Sequence, residues 1–164
     1  MFTVLAITVF AGLLVYAACS DIARLIIPNW VSIALVASFP VFAVAHAMAP
    51  LQIGGHLLFG FAVLVVGFGL FAAKIIGGGD AKLLAAAAVW TGYASFLPLI
   101  FWMALSGGLM ALILMQARKW VPYVEGAPAF VNKLLVHGSG IPYGVAIMVG
   151  GLMAIPSLPF VLAR

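Results

Sequence analysis

The chain has 164 residues, 67% of them hydrophobic and 6% charged, and a mean hydropathy of +1.34; these values exclude a soluble globular domain and indicate an integral membrane protein, one transmembrane domain over residues 1–164. The net charge of +4 comes from seven Lys and Arg against three acids, a surplus that in a membrane protein reports orientation and contact with lipid head groups and gives no reason to expect nucleic-acid binding. One cysteine, Cys19, excludes an internal disulfide and a cysteine-based zinc site.

At roughly 20 residues per span, the first helix covers about Phe2 to Ser20 and ends at Asp21 and Arg24. Residues 1–20 contain no Lys or Arg, so the positive start of a secretory signal is missing and this segment reads as a retained helix. The second helix starts near Pro28, which loses nothing at a first helical turn, and runs to about Ala47. After a short loop around Ala49 to Gly54, a third spans about Gly55 to Ala73 and stops at Lys74. Gly77, Gly78 and Gly79 then interrupt the apolar pattern before Asp80 and Lys82.

From Leu83 to Ala117 the chain is uncharged, too long for one span, and is expected to divide between Gly92 and Pro98 into a short fourth helix and a fifth. Arg118 to Gly140 is the most polar segment and reads as an extramembrane loop, broken by Pro122, Gly126 and Pro128, with room for an interfacial turn or two around Ala129 to Val136. The last span is expected from Ile141 to about Leu162, with Pro156 and Pro159 kinking or fraying its end.

The expected fold is therefore an all-α bundle of about six transmembrane helices with both termini on one side. With both termini outside the cytoplasm, Arg24, Lys74, Lys82, Arg118, Lys119 and Lys133 fall on the cytoplasmic side and only Arg164 outside, as positive-inside bias requires. That topology also brings Asp21 and Asp80 to one membrane face. An ionisable group at the edge of a span is costly to keep and is a functional-site candidate by default.

Two neighbouring carboxylates that share one proton can deprotonate a water and donate to a peptide carbonyl, the chemistry of aspartic proteolysis. The glycines before Asp80 allow φ values closed to other residues and let another backbone approach closely, and a strand-like or irregular entry to the fourth helix is expected to expose Asp80 to substrate and water. The simpler reading of Asp21 is a helix-end residue, and of the glycines a flexible turn.

Three motifs occur together: Asp21-Ile-Ala-Arg24 followed by Ile27-Pro28-Asn29, then Gly77-Gly78-Gly79-Asp80-Ala81-Lys82, and finally Ile141-Pro142-Tyr143-Gly144. In this order the chain resembles the type IV prepilin peptidases, membrane aspartic proteases with a Gly-x-Gly-Asp motif. The resemblance implies that Asp21 and Asp80 are the catalytic pair, that no metal or organic cofactor is needed, and that the site faces the cytoplasm from a bacterial inner membrane. It implies prepilin and pseudopilin substrates, cut between a short basic leader and a hydrophobic helix during pilus assembly and secretion.

Arg24 and Lys82 read as topology anchors or as partners of substrate acids. Pro28, Gly77 and Gly79 are supporting residues of the motifs, and Asn29 either starts its helix or hydrogen-bonds the aspartate loop. His46 and His56 fall near the outer ends of the second and third spans, and His137 lies in the cytoplasmic loop without metal-ligand spacing. Glu125 reads as a solvated loop charge, and Trp30, Trp90, Trp102 and Trp120 as belt or packing residues. A proton- or cation-coupled transporter using the same aspartates, or a non-catalytic scaffold, are the competing readings.

The larger members carry an added N-terminal region, often with paired Cys-x-x-Cys motifs, that methylates the new pilin N-terminus. The chain most resembles the short, peptidase-only members of the CpaA or TadV type associated with tight-adherence (Flp) pili. These 164 residues are thus expected to remove a leader without methyl transfer; labelled S-adenosylmethionine incubated with purified protein and substrate should leave no methyl on the product.

Overall fold

The computed structural model describes residues 1–121, 124–136 and 140–162, apart from the side chain of Phe160. Pro122, His137 and Arg164 lie outside the described residues. The elements are α1 (Phe2–Arg24), α2 (Asn29–Ala45), α3 (Pro50–Ala72), α4 (Gly78–Trp120), α5 (Ala129–Leu135), α6 (Tyr143–Ala154), a 3-10 turn (Ile155–Ser157) and α7 (Pro159–Leu162). Among the described residues every regular element is helical.

Three helices, α1, α3 and α4, are long and apolar enough to cross a membrane. The second and last expected spans are shorter than the sequence suggested. α2 has 17 residues and stops where Ala47 takes a left-handed φ of 54°. The last one ends as regular helix at Ala154, because Pro156 falls in a 3-10 turn and Pro159 opens a separate short helix. The polar segment also begins later than expected, since Arg118 and Lys119 belong to the last turn of α4.

α4 has 43 residues, which as a straight helix would measure roughly 65 Å, about twice a bilayer's hydrocarbon thickness. It does not run straight: Gly92 has φ 59° and ψ −174°, splitting it into arms over 78–91 and 93–120. The contacts give each arm a direction. A Cβ on Gly67 would meet Ala81 and one on Gly92 would meet His56, so the first arm runs antiparallel to α3. A Cβ on Gly107 would meet Ala146 and one on Gly150 would meet Met103, so the second arm runs antiparallel to α6. Gly144 in turn lies on Asp21 and Gly151 on Phe10, which sets α6 antiparallel to α1.

Six helical segments therefore alternate in direction, and the reversal within Gly92 to Pro98 is at Gly92. Thr3 at the start of α1 hydrogen-bonds His46 at 3.1 Å, and Pro159 shares a cavity with His46. The start of α1 and α7 thus share one end of the bundle, and the aspartates occupy the other.

Helices in lipid gain no hydrophobic free energy from meeting each other, so close approach through small residues carries much of the packing. Gly60, Gly67, Gly107, Gly150 and Gly151 all sit where an added Cβ would press on a neighbouring helix. The centre of the bundle is Trp90, fully buried, stacked on Phe10 at 5.1 Å and edge-on to Phe39 at 6.0 Å. Its indole N–H, which needs an acceptor in an apolar interior, donates to the Leu35 carbonyl at 2.8 Å. Large apolar side chains such as Phe61, Val66, Phe68 and Leu112 point outward, as a lipid-facing surface requires.

Gly92 combines a backbone conformation essentially closed to other residues with a Cβ position only 2.5 Å from the His56 ring. Gly92→Ala should destabilise by about 1–3 kcal/mol from backbone strain, with a further loss from the ring contact. Thermal unfolding in detergent should show a lower midpoint, which His56→Ala added to Gly92→Ala recovers only in part.

Candidate functional site

Asp21 lies in the last turn of α1 and is 6% exposed. The helix ends just beyond it because Leu25 adopts the left-handed conformation (φ 56°, ψ 37°) while its N–H still donates to the Asp21 carbonyl at 2.7 Å. Ser20 steadies the exit by donating to the Ile26 carbonyl at 2.8 Å. Asp80 lies in the first turn of α4, after Gly77 as N-cap. Its carboxylate turns back toward the Gly77 backbone, with Oδ2 2.6 Å from where a Gly77 Cβ would lie.

The two carboxylates line one cavity of about 500 Å³. Its walls come from the ends of α1 and α3 and the starts of α4 and α6, with Leu25, Phe71, Lys74, Ile76 and Tyr143 contributing. Asp80 is near enough to feel the charge of Asp21. Asp21 also accepts a hydrogen bond from the Gly144 N–H, 2.7 Å from Oδ2. Gly144 belongs to the first turn of α6, where backbone N–H groups have no partner within the helix.

The glycines before Asp80 serve one of their two expected uses, close approach, and not the other, unusual φ. None of Gly77, Gly78 and Gly79 has a positive φ; Gly77 is extended (φ −72°, ψ 145°) and the other two begin α4. Their value is room. A Cβ on Gly77 would lie 2.6 Å from Asp80 Oδ2, one on Gly78 3.2 Å from the Phe71 ring, and one on Gly79 3.2 Å from Ile27. The approach to Asp80 is correspondingly helical, not strand-like or irregular.

The remaining predicted residues divide. Gly77 lines the cavity, and Gly79 packs behind it on Ile27. Pro28 is the N-cap of α2. Asn29 opens α2 and accepts from Lys82 Nζ at 3.1 Å. That pair lies at a separate, mostly apolar groove of about 710 Å³ between α2, α3 and the first arm of α4. Two residues along a helix is about 200° of rotation, so Lys82 points away from the side of α4 that carries Asp80. Arg24 is exposed, and its carbonyl accepts from Lys133 Nζ at 2.8 Å. Lys74, with a left-handed φ of 60°, lines the aspartate cavity where neither Arg24 nor Lys82 does.

His46 and His56 sit at the opposite end of the bundle, bonded to Thr3 and to the Val89 carbonyl. Among the described residues no three His, Cys, Asp or Glu side chains converge. Glu125 is exposed. Arg118 is buried, its Nε donating to the Leu134 carbonyl at 2.8 Å and its Nη2 to the Gly140 carbonyl at 3.0 Å. Since Gly140 borders the aspartate cavity, this arginine holds one edge of the site.

Chemically, the arrangement offers two carboxylates facing one space, with Asp21 Oδ2 engaged by a backbone N–H. Ile27, Lys74, Phe71, Tyr143 and Gly144 were not assigned functional roles from the sequence. For Ile27 and Gly144 the available signal was their place in the motifs; for Lys74 and Phe71 it was only nearness to the end of the third helix.

A family model described as the type IV leader peptidase family matches residues 8–112, a stretch that contains both aspartates. No curated protein and no solved structure matches the chain.

Removing the Arg118 side chain leaves two carbonyls without their donor, and hydrogen bonds from charged groups contribute about 1.5–3 kcal/mol each. Arg118→Met should speed amide hydrogen exchange over residues 129–136, and Arg118→Lys should not restore protection, because an ammonium lacks the fork that reaches both acceptors.

Proposed function

The chain belongs to the type IV leader peptidase family, and on that premise we propose that it is an aspartic endopeptidase with Asp21 and Asp80 as its catalytic pair, cutting prepilins and pseudopilins of Flp type. The observation that carries this reading is the shared cavity of about 500 Å³, into which two carboxylates from distant parts of the sequence converge. In the reaction, one carboxylate takes a proton from a water as the water oxygen bonds to the scissile carbonyl carbon. The other, protonated, donates to the carbonyl oxygen. Collapse of the tetrahedral adduct returns the hydroxyl proton to the second carboxylate and breaks the C–N bond, and the leaving amine takes the proton that the first carboxylate drew from water. The two groups titrate as a pair.

Residues 1–164 act as one peptidase domain in this reading, and the aspartate end of the bundle faces the cytoplasm of a bacterial inner membrane. The placement of basic residues supports that sidedness: Arg24, Lys74 and Lys82 adjoin the aspartates in sequence, and Lys133 is bonded to Arg24. Anionic lipid head groups and positive-inside bias both favour such a cluster at the cytoplasmic face. The substrate's hydrophobic helix stays in the bilayer while its basic leader stays in the cytoplasm, so the scissile bond reaches the aspartates at the boundary.

In inverted membrane vesicles given a pilin-like precursor, mass spectrometry should find the leader removed, and in sealed right-side-out vesicles it should not. Asp21→Asn and Asp80→Asn should each lower processing by at least about a thousandfold at unchanged membrane abundance. Processing retained by either variant would take that residue out of the pair.

A further inference from the structure

We propose that Gly144 is a positioning residue for the peptidase reaction: its N–H, at the start of α6, sets the orientation of the Asp21 carboxylate, and its lack of a side chain is what allows the approach. This rests on the assignment of Asp21 to catalysis given above. The site has three parts, each drawn from a different region of the chain.

The first is the hydrogen bond of 2.7 Å from Gly144 N–H to Asp21 Oδ2, buried within the bundle. A backbone donor in the first turn of a helix is fixed in direction by the helix itself, unlike a donor on a rotatable side chain. The second is space. A Cβ at position 144 would lie 2.9 Å from Asp21 Oδ2 and 3.1 Å from Asp21 Cβ, so any other residue forces the carboxylate or the helix to move. The third is Ile27, whose Cδ1 lies 3.2 Å from that same Cβ position and whose Cβ lies 3.2 Å from the corresponding position at Gly79. Ile27, buried between the start of α4 and the start of α6, crowds the same side of Gly144 as Asp21, so a side chain at position 144 would press on both.

Asp21 is therefore held by its own helix and a backbone donor, with Ile27 filling the space beside that donor's α-carbon. Orientation matters here because a misplacement of about 1 Å in a catalytic group costs on the order of a hundredfold in rate. Gly144 closes the Ile141-Pro142-Tyr143-Gly144 motif and lies beyond residue 112, where the family match ends; its part in the site is read from the geometry.

The test is steady-state leader removal by the purified, full chain in detergent or vesicles, comparing the unaltered protein, Gly144→Ala, Ile27→Ala, the double variant and Asp21→Asn. Gly144→Ala should lower kcat about a hundredfold with KM within about twofold, because substrate binding does not use the displaced oxygen. The double variant should be no faster than Gly144→Ala, since removing Ile27 Cδ1 clears one contact and leaves the one with the carboxylate. If Gly144→Ala does not insert, the double variant measured against Ile27→Ala carries the same expectation.

A kcat for Gly144→Ala within about twofold of the unaltered chain, or a double variant restored to the level of Ile27→Ala, would overturn the positioning role. Asp21→Asn separates the two ideas. Processing retained in Asp21→Asn means that Asp21 is not catalytic; processing lost there but retained in Gly144→Ala means that only the role of Gly144 fails.

Discussion

A buried carboxylate at the end of an apolar helix needs a donor, and for Asp21 that donor is the backbone N–H of Gly144 at the start of α6. A helix leaves such an N–H unpartnered in its first turn, so the site satisfies an orphan donor and an acid oxygen together. Much of the local structure follows from that constraint. Asp80 in turn lies against Gly77, and a Cβ at either glycine would lie under 3 Å from the neighbouring carboxylate. The starts of α4 and α6 must also meet at the end of α1, and Ile27 fills the space between them.

The rest of the bundle follows from the solvent. Lipid does not drive apolar surfaces together, so helices hold through close contact and a few interior hydrogen bonds. Glycines at 60, 67, 107, 150 and 151 let α3, the two arms of α4, α6 and α1 approach. Trp90 joins α4 to α2 through the Leu35 carbonyl and stacks on α1 through Phe10. Arg118 extends the same economy to the polar segment, where one buried guanidinium binds two carbonyls on the approach to α6.

Several features were legible in the sequence for definite reasons. The ends of α1 and α3 coincide with Asp21, Arg24 and Lys74 because charged groups are costly inside a span. The stretch after Lys82 had to reverse because it exceeds one bilayer crossing, and Gly92 within the expected interval supplies the reversal. Of the two uses expected for the three glycines before Asp80, unusual φ and close approach, the structure shows the second. Glycine permits both unusual φ and unusual proximity, and sequence does not say which is in use; here it is proximity. Lys82 and Asn29 adjoin the motifs in sequence yet meet each other at another groove, since direction around a helix changes by about 100° per residue.

By itself the sequence determined that this is a membrane protein of apolar helices, roughly where those helices end, and that two rare aspartates stand at two of the ends. These properties are local: the free energy of placing a residue in lipid depends on that residue and its near neighbours. Only the tertiary structure decided that the aspartates share a cavity with Lys74 and Tyr143, that Gly144 reaches Asp21, and that Ile27 stands between two helix starts. Those relations depend on how six segments rotate and tilt against one another, which is fixed by contacts between residues far apart in the chain.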